Sequence, residues 1–187
     1  EVRGGAASAV LVADATGSGK TLAYLLPVVD SMLQQVAEER SDDERAAAAA
    51  AAAGWESLER RSAANPTSGG RVRALVLCPT TELAVQVGAV ARQAAPRPLR
   101  VATATGGPDR PMKTQIGMLH EGVDLLVATV GRAAALVEAG ALVLRGDVVR
   151  HVVLDEVDVL VLDESFPIDT IGAAAEPHAL LPQHEQK

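Results

Sequence analysis

The sequence predicts an open, three-layer α/β domain: a parallel sheet covered by helices on both faces. Three observations lead there. Short, nearly continuous apolar runs recur at strand length, as they do in strands buried on both sides. Segments with helical spacing of apolar residues alternate with them. The first run passes through a glycine-rich turn, "DATGSGKT" (Asp14–Thr21), directly into a helical pattern.

Taken in order, the first strand is expected at Ala9–Ala13. After Lys20 a helix follows, because Leu22, Leu25, Leu26, Val29 and Leu33 fall on one face. Further strands are expected at Ala74–Cys78, Leu99–Ala104, Asp124–Ala128 and His151–Asp155. Helices are expected at Thr81–Ala94, Met112–His120 and Arg132–Ala139. One stretch breaks the alternation: Ser41–Gly70 holds eight consecutive alanines, clustered charges and a Gly/Ser/Pro-rich exit. Alanine favours helix, but the stretch has almost nothing to bury, so it reads as an exposed low-complexity insertion, partly helical. Trp55 within it reads as a half-exposed surface anchor.

The chain has 187 residues, a single-domain length, with 48% hydrophobic and 22% charged residues. Aromatic residues make up only 2%, namely Tyr24, Trp55 and Phe166. The core must therefore be aliphatic, and base stacking on an aromatic platform is excluded as the main way of holding nucleic acid. A net charge of -7 argues against broad electrostatic capture of nucleic acid, though not against a local site of backbone amides and helix N-termini. Cys78 is the sole cysteine, so there is no internal disulfide, and His120, His151, His178 and His184 show no metal-ligand spacing. A free thiol favours a reducing, intracellular compartment. No apolar run is long enough to span a bilayer, so no membrane partner is expected.

The glycine-rich turn carries the first chemistry. A turn of this kind between strand and helix leaves backbone N–H groups converging on one point, where the helix dipole also favours an anion. Thr16, Gly17, Ser18 and Gly19 would wrap phosphates, Lys20 would meet the β- and γ-phosphates, and Thr21 would offer its hydroxyl to Mg²⁺. The second half of such a site is a carboxylate at the end of another strand. "HVVLDEVD" supplies it: Asp155 would bind Mg²⁺, and Glu156 would orient or deprotonate the attacking water. Lys20, Asp155 and Glu156 are thus the catalytic candidates, with ATP and Mg²⁺ as the cofactors.

With these halves in place, the chain resembles the first RecA-like domain of DEAD-box RNA helicases. "PTTELAVQV" (Pro79–Val87) is similar to the family's PTRELA motif, "TGG" (Thr105–Gly107) to its GG motif, and "ATVGR" (Ala128–Arg132) to TPGR. "DEVD" (Asp155–Asp158) stands where the family has DEAD. The resemblance implies a RecA-like phosphate-loop fold and ATP-driven unwinding of RNA. It implies that Pro79, Thr80, Glu82, Gly106, Gly107, Thr129, Gly131 and Arg132 line an RNA backbone groove, and that Asp158 couples hydrolysis to motion. The order of all five motifs is specific, whereas the phosphate loop alone is shared by many ATPases.

Departures from the pattern are Thr81 for Arg, Val130 for Pro, Val157 for Ala, and Asp14 for a small neutral residue. Asp14 at the mouth of an anion site is expected either to lower nucleotide affinity by charge repulsion or to point away and cap a neighbouring turn. No Gln motif precedes the phosphate loop and no Ser-Ala-Thr motif follows Asp158. The expectation is therefore an incomplete N-terminal RecA-like domain over 1–187, a fragment of a longer helicase, inactive without its second RecA-like domain. Two other readings stay open at this point: a helicase-like RNA-binding or scaffolding protein without turnover, and an unrelated phosphate-loop enzyme.

Overall fold

A computed structural model of the chain describes residues 18–53, 72–144 and 149–156. Along them run α1 (Lys20–Ala53), β1 (Ala74–Cys78), α2 (Thr81–Ala94), β2 (Val101–Ala104), α3 (Met112–His120), β3 (Leu125–Thr129), α4 (Val130–Glu138) and β4 (His151–Leu154). The expected strand at Ala9–Ala13, and with it Asp14, Thr16 and Gly17, lies outside the described residues, as do Trp55, Val157 and Asp158.

The described strands form one parallel sheet in the order β2-β3-β1-β4. Strand alternation splits the core in two. Ala74, Val76 and Cys78 of β1 face Leu25, Val29 and Met32 of α1 and Ala84, Val87 and Ala91 of α2. Leu75 and Leu77 face Leu119 of α3 and Ala133 and Leu136 of α4. Helices thus cover both faces, the three-layer arrangement that the alternation of patterns predicts. β1 is buried throughout and β3 nearly so. β4 differs from the expectation of a fully buried strand: it forms an edge of the described sheet, and Val152 is 39% exposed.

Element limits follow local chemistry. α2 begins at Thr81 because Thr80 is extended (φ -121°, ψ 157°) and its hydroxyl accepts from the Leu83 N–H at 3.2 Å. α4 begins at Val130, two residues before the expected start, because Thr129 already stands as its extended N-cap. Gly131 and Arg132 therefore lie in the first turn. Val130 is 1% exposed and packs in the α3/α4 core, which accounts for an aliphatic residue there.

α1 runs on through the first part of the expected insertion, to Ala53. Its last buried residue among those whose burial is described is Gln35, and residues 42–46 are exposed; alanine is the residue type that most favours helix in the run that follows. Residues 54–71 lie outside the described ones. Pro27 sits inside α1 on the exposed side, where water can satisfy the carbonyl left without its helical partner.

At the amino end of the sheet one guanidinium ties three elements together. Arg73 makes a bidentate pair with Glu39 of α1 (2.7 Å and 2.7 Å), and its Nε donates to Asp124 before β3 at 3.1 Å. The Arg73 backbone carbonyl accepts from the Arg150 N–H before β4 at 2.8 Å. The Asp124 side chain also accepts from the Arg100 N–H at 2.8 Å, so the residue just before β3 staples its neighbours through its carboxylate as well as through its backbone.

α2 lies so close to β2 that a Cβ on Gly88 would collide with the Thr103 hydroxyl and stand 3.3 Å from its Cβ. Gly88→Ala should therefore lower stability by about 1–3 kcal/mol, the usual cost of overpacking. Adding Thr103→Ala should recover part of the loss, because the colliding hydroxyl is gone. Urea unfolding of the single and double variants checks this; strictly additive losses would show that the contact does not limit the approach.

Candidate functional site

Because the strands are parallel, their carboxyl ends open at one edge, where open α/β sheets bind ligands. Register aligns them. Leu77 of β1 pairs with Ala128 of β3 and with Leu154 of β4, and Ala128 pairs with Ala104 of β2. Four segments far apart in sequence then lie along that edge: Thr105–Gly107 after β2, Thr129 at the end of β3, Pro79–Thr80 after β1, and Asp155–Glu156 after β4.

At the β4 end, Ser18 and Gly19 lead into α1. Gly19 has φ +92°, a conformation that favours glycine, with nothing within 4 Å of where a Cβ would sit. Its carbonyl accepts from the Ala23 N–H at 3.1 Å, the first helical bond of α1. Lys20 and Thr21 occupy the first turn, both half-buried.

Asp155 is 9% exposed, and its N–H continues the ladder to the Leu77 carbonyl at 3.0 Å. Its carboxylate accepts from the Tyr24 hydroxyl at 2.8 Å. Thr21, the other expected Mg²⁺ ligand, stands one helical turn before Tyr24 on the same face of α1, near that phenol. The hard oxygen donors of Thr21 and Asp155 suit Mg²⁺, which takes few protein ligands and keeps several waters. Among the described residues there is no group of three or more His, Cys, Asp or Glu, so a metal held by protein groups alone is not built here.

Glu156 differs from its neighbour in every respect. It is exposed, and it is the single non-glycine with positive φ (51°) among the described residues. Such backbone costs about 1–2 kcal/mol for an ordinary residue. Cys78, beneath this pair, is buried, and its thiol is pushed up to about 12 by burial first and then by the charges of Asp155 and Glu156. It is an inert core residue at neutral pH.

Along the rest of the edge, α2 and α4 start side by side, since Cys78 pairs with Thr129 in register. Thr80 spends its lone pair on the helix cap, which leaves its O–H to donate; Thr129 makes no side-chain cap bond. Pro79 is half-buried beside Thr80. Glu82 is exposed in the first turn of α2, where a carboxylate complements the helix dipole. Arg132 brings a guanidinium nitrogen to within 4.0 Å of the position a Cβ would take on Gly106, while its Nη1 contacts the Met112 sulfur at 3.2 Å. Gly107 has φ +125°. All described candidates from the three apparent groove motifs are therefore contiguous.

Sequence reasoning did not single out Tyr24 or Gln115. Tyr24 follows Thr21 by three residues, a spacing that places both on one helix face. That signal was available. Gln115 carried none: its role depends on a carbonyl ten residues away that only folding brings near.

A glycine turn opening α1 and a carboxylate pair after β4, at the carboxyl edge of a parallel sheet, match the pattern of a nucleotide-binding α/β domain. The chain belongs to the DEAD/DEAH box helicase family, whose model matches residues 4–178. It is 37% identical over 158 residues to the DEAD-box ATP-dependent RNA helicase 50 of Arabidopsis thaliana, covering 83% of this chain and 17% of that protein. It is 41% identical over 163 residues to the mitochondrial ATP-dependent RNA helicase mrh4 of Aspergillus fumigatus, covering 83% of this chain and 25% of that protein. The chain thus spans a quarter or less of these relatives. In fold it is similar to a DEAD box protein from Methanococcus jannaschii (TM-score 0.57, 22% identity, 87% of this chain and 35% of that one). It is equally similar to the yeast DEAD-box splicing factor Prp28 (TM-score 0.57, 23% identity, 86% of this chain and 32% of that one). The fold is RecA-like, and family membership decides against a phosphate-loop enzyme of another lineage.

The chain contains one tyrosine, so a phenolate titration reads Tyr24 alone. Burial, then the hydrogen bond and charge of Asp155, raise its ionisation far above the ordinary value of 10.0. The unfolded chain therefore releases this proton at lower pH than the folded one. The stabilisation is complete below about pH 10 and is lost as pH rises beyond it. Absorbance near 295 nm should stay flat above pH 10 while the protein is folded and rise together with unfolding; Tyr24→Phe should blunt the alkaline loss of stability. A phenolate signal in the folded protein at ordinary pH would contradict the Tyr24–Asp155 bond.

Proposed function

We propose that this chain is the ATP-binding and RNA-binding half of an ATP-dependent RNA helicase. The observation that carries the reading is the shared edge: the Asp155–Glu156 pair and the three groove segments all follow neighbouring parallel strands, and α1, which opens with Lys20 and Thr21, is tied to that edge by the Tyr24–Asp155 hydrogen bond. Nucleotide chemistry and nucleic-acid contact then sit on one rigid sheet, which is what coupling between them needs.

Lys20 and the amides at the start of α1 bind the phosphates of ATP. Thr21 and Asp155 would hold Mg²⁺, which would supply positive charge to neutralise the phosphates. Tyr24 holds the Asp155 carboxylate in a fixed orientation through its hydroxyl. Glu156, exposed where Asp155 is not, reaches the attacking water and takes its proton. The groove side reads backbone rather than base. The N-termini of α2 and α4, the Thr80 and Thr129 hydroxyls, Gly106, Gly107, Gly131 and Arg132 meet RNA phosphates. Pro79 shapes the groove wall, and Glu82 accepts from a sugar hydroxyl, since its charge opposes a phosphate. In the whole protein a second RecA-like domain closes on ATP and RNA, and Asp158 links hydrolysis to that closure.

In a protein carrying both domains, Lys20→Ala should weaken ATP binding. Glu156→Gln should leave binding intact and cut hydrolysis by about 10²–10⁴-fold, as for a lost general base. Measuring nucleotide affinity and turnover separately checks the division; unimpaired hydrolysis by Glu156→Gln would sink the assignment, and absence of turnover in the unsubstituted protein would favour a scaffolding relative.

Thr80 separates stability from RNA contact. Thr80→Ala should cost about 0.5–2 kcal/mol of stability through the lost cap. Thr80→Asp should restore that cap yet weaken RNA binding, because it removes the O–H donor and adds negative charge. Unfolding curves and RNA titrations of both variants distinguish the two effects; RNA binding that follows stability alone would assign Thr80 to the cap only.

A further inference from the structure

Thr105 precedes the glycine pair and is 1% exposed. Two side chains hold it. The Arg110 guanidinium donates to its hydroxyl. Gln115, in the first turn of α3 and 7% exposed, donates from Nε2 to its carbonyl at 2.9 Å. The other end of that amide is idle: Oε1 is buried and has no hydrogen-bond partner among the described residues. Burying an acceptor without a partner is unfavourable. Methionine would fill a similar volume and remove that orphan, but it would leave the buried Thr105 carbonyl without its donor; the glutamine therefore gains little net stability, and what its one bond does is direct that carbonyl.

Peptide geometry shows what the single bond achieves. The Thr105 carbonyl and the Gly106 N–H belong to one planar trans unit and point in opposite directions. Drawing the carbonyl inward onto Gln115 turns the Gly106 N–H the other way. Arg132 lies beside Gly106 on α4. We infer that Gln115 is a positioning residue for the nucleic-acid groove: it fixes the Thr105–Gly106 peptide so that the Gly106 amide and the Arg132 guanidinium face one phosphate together. This rests on the RNA reading above and adds to it a residue outside the recognised motifs. Gln115 itself touches no RNA.

The test uses the 187-residue chain with Gln115→Met and, as a near-isosteric second variant lacking the donor, Gln115→Glu. The probes are a fluorescein-labelled single-stranded oligouridylate at low salt and a fluorescent ADP analogue, with urea unfolding and hydrogen exchange at Gly106 and Gly107. For Gln115→Met the expected result is an RNA affinity lower by roughly tenfold, the equivalent of one hydrogen bond. Exchange at the glycine pair should be faster, while ADP affinity is unchanged and the unfolding midpoint moves little, since one unpaired buried acceptor replaces another. Equal RNA affinity in the unsubstituted and Met proteins overturns this proposal alone. Absence of RNA binding by the unsubstituted chain overturns the groove reading and the proposal with it. A lower midpoint with parallel loss of ADP affinity, or loss of the unfolding transition in both variants, makes Gln115 a packing residue and overturns the proposal.

Discussion

Parallel register is the constraint on which the site depends. β1 pairs with β3 on one side and β4 on the other, and Leu77 meets both Ala128 and Leu154. A slip of one residue in β4 would exchange its half-buried and exposed faces and carry Asp155 away from Tyr24. Register is held from the far end of the sheet. Arg73 joins Glu39, Asp124 and the backbone before β4, where two carboxylates raise its already high pKa further. The functional edge can therefore consist of loops and helix starts, because the alignment does not depend on them.

The carboxylate pair after β4 shows how one turn gives two neighbours different work. Asp155 keeps the ladder bond to Leu77 and is buried against a phenol, so its oxygens have fixed directions. Glu156 leaves the ladder through left-handed backbone and faces solvent. Fixed geometry suits a group that holds a metal, and access suits one that handles water. The strained φ at Glu156 separates the two, and the continuous packing of β1 beneath supports it.

An acidic chain, net -7, would repel a polyanion if contact rested on surface charge alone. The edge instead presents partial charges: the starts of α2 and α4 lie side by side, with Arg132 above Gly106. Backbone amides carry their dipoles wherever the helix begins, independent of net charge. This is consistent with a contact that reads phosphates at a few fixed points, and with a chain nearly without aromatic residues.

Much of this was legible before folding. Ala74–Cys78, Thr81–Ala94 and Met112–His120 match their sequence limits, because each is bounded by a local signal such as the Thr80 cap or Pro111. The phosphate-loop residues and the Asp155–Glu156 pair were visible as residue types at fixed spacings. Less local features were not. α4 starts two residues before its expected limit because the cap at Thr129 depends on where β3 ends. The Tyr24–Asp155 bond spans 131 positions, and the Gln115–Thr105 bond joins a helix to a buried carbonyl. A sequence fixes propensities, caps and motif chemistry, since these act over a few residues. Which side chain meets which across the sheet is decided only when parallel register and burial bring distant groups within hydrogen-bond reach.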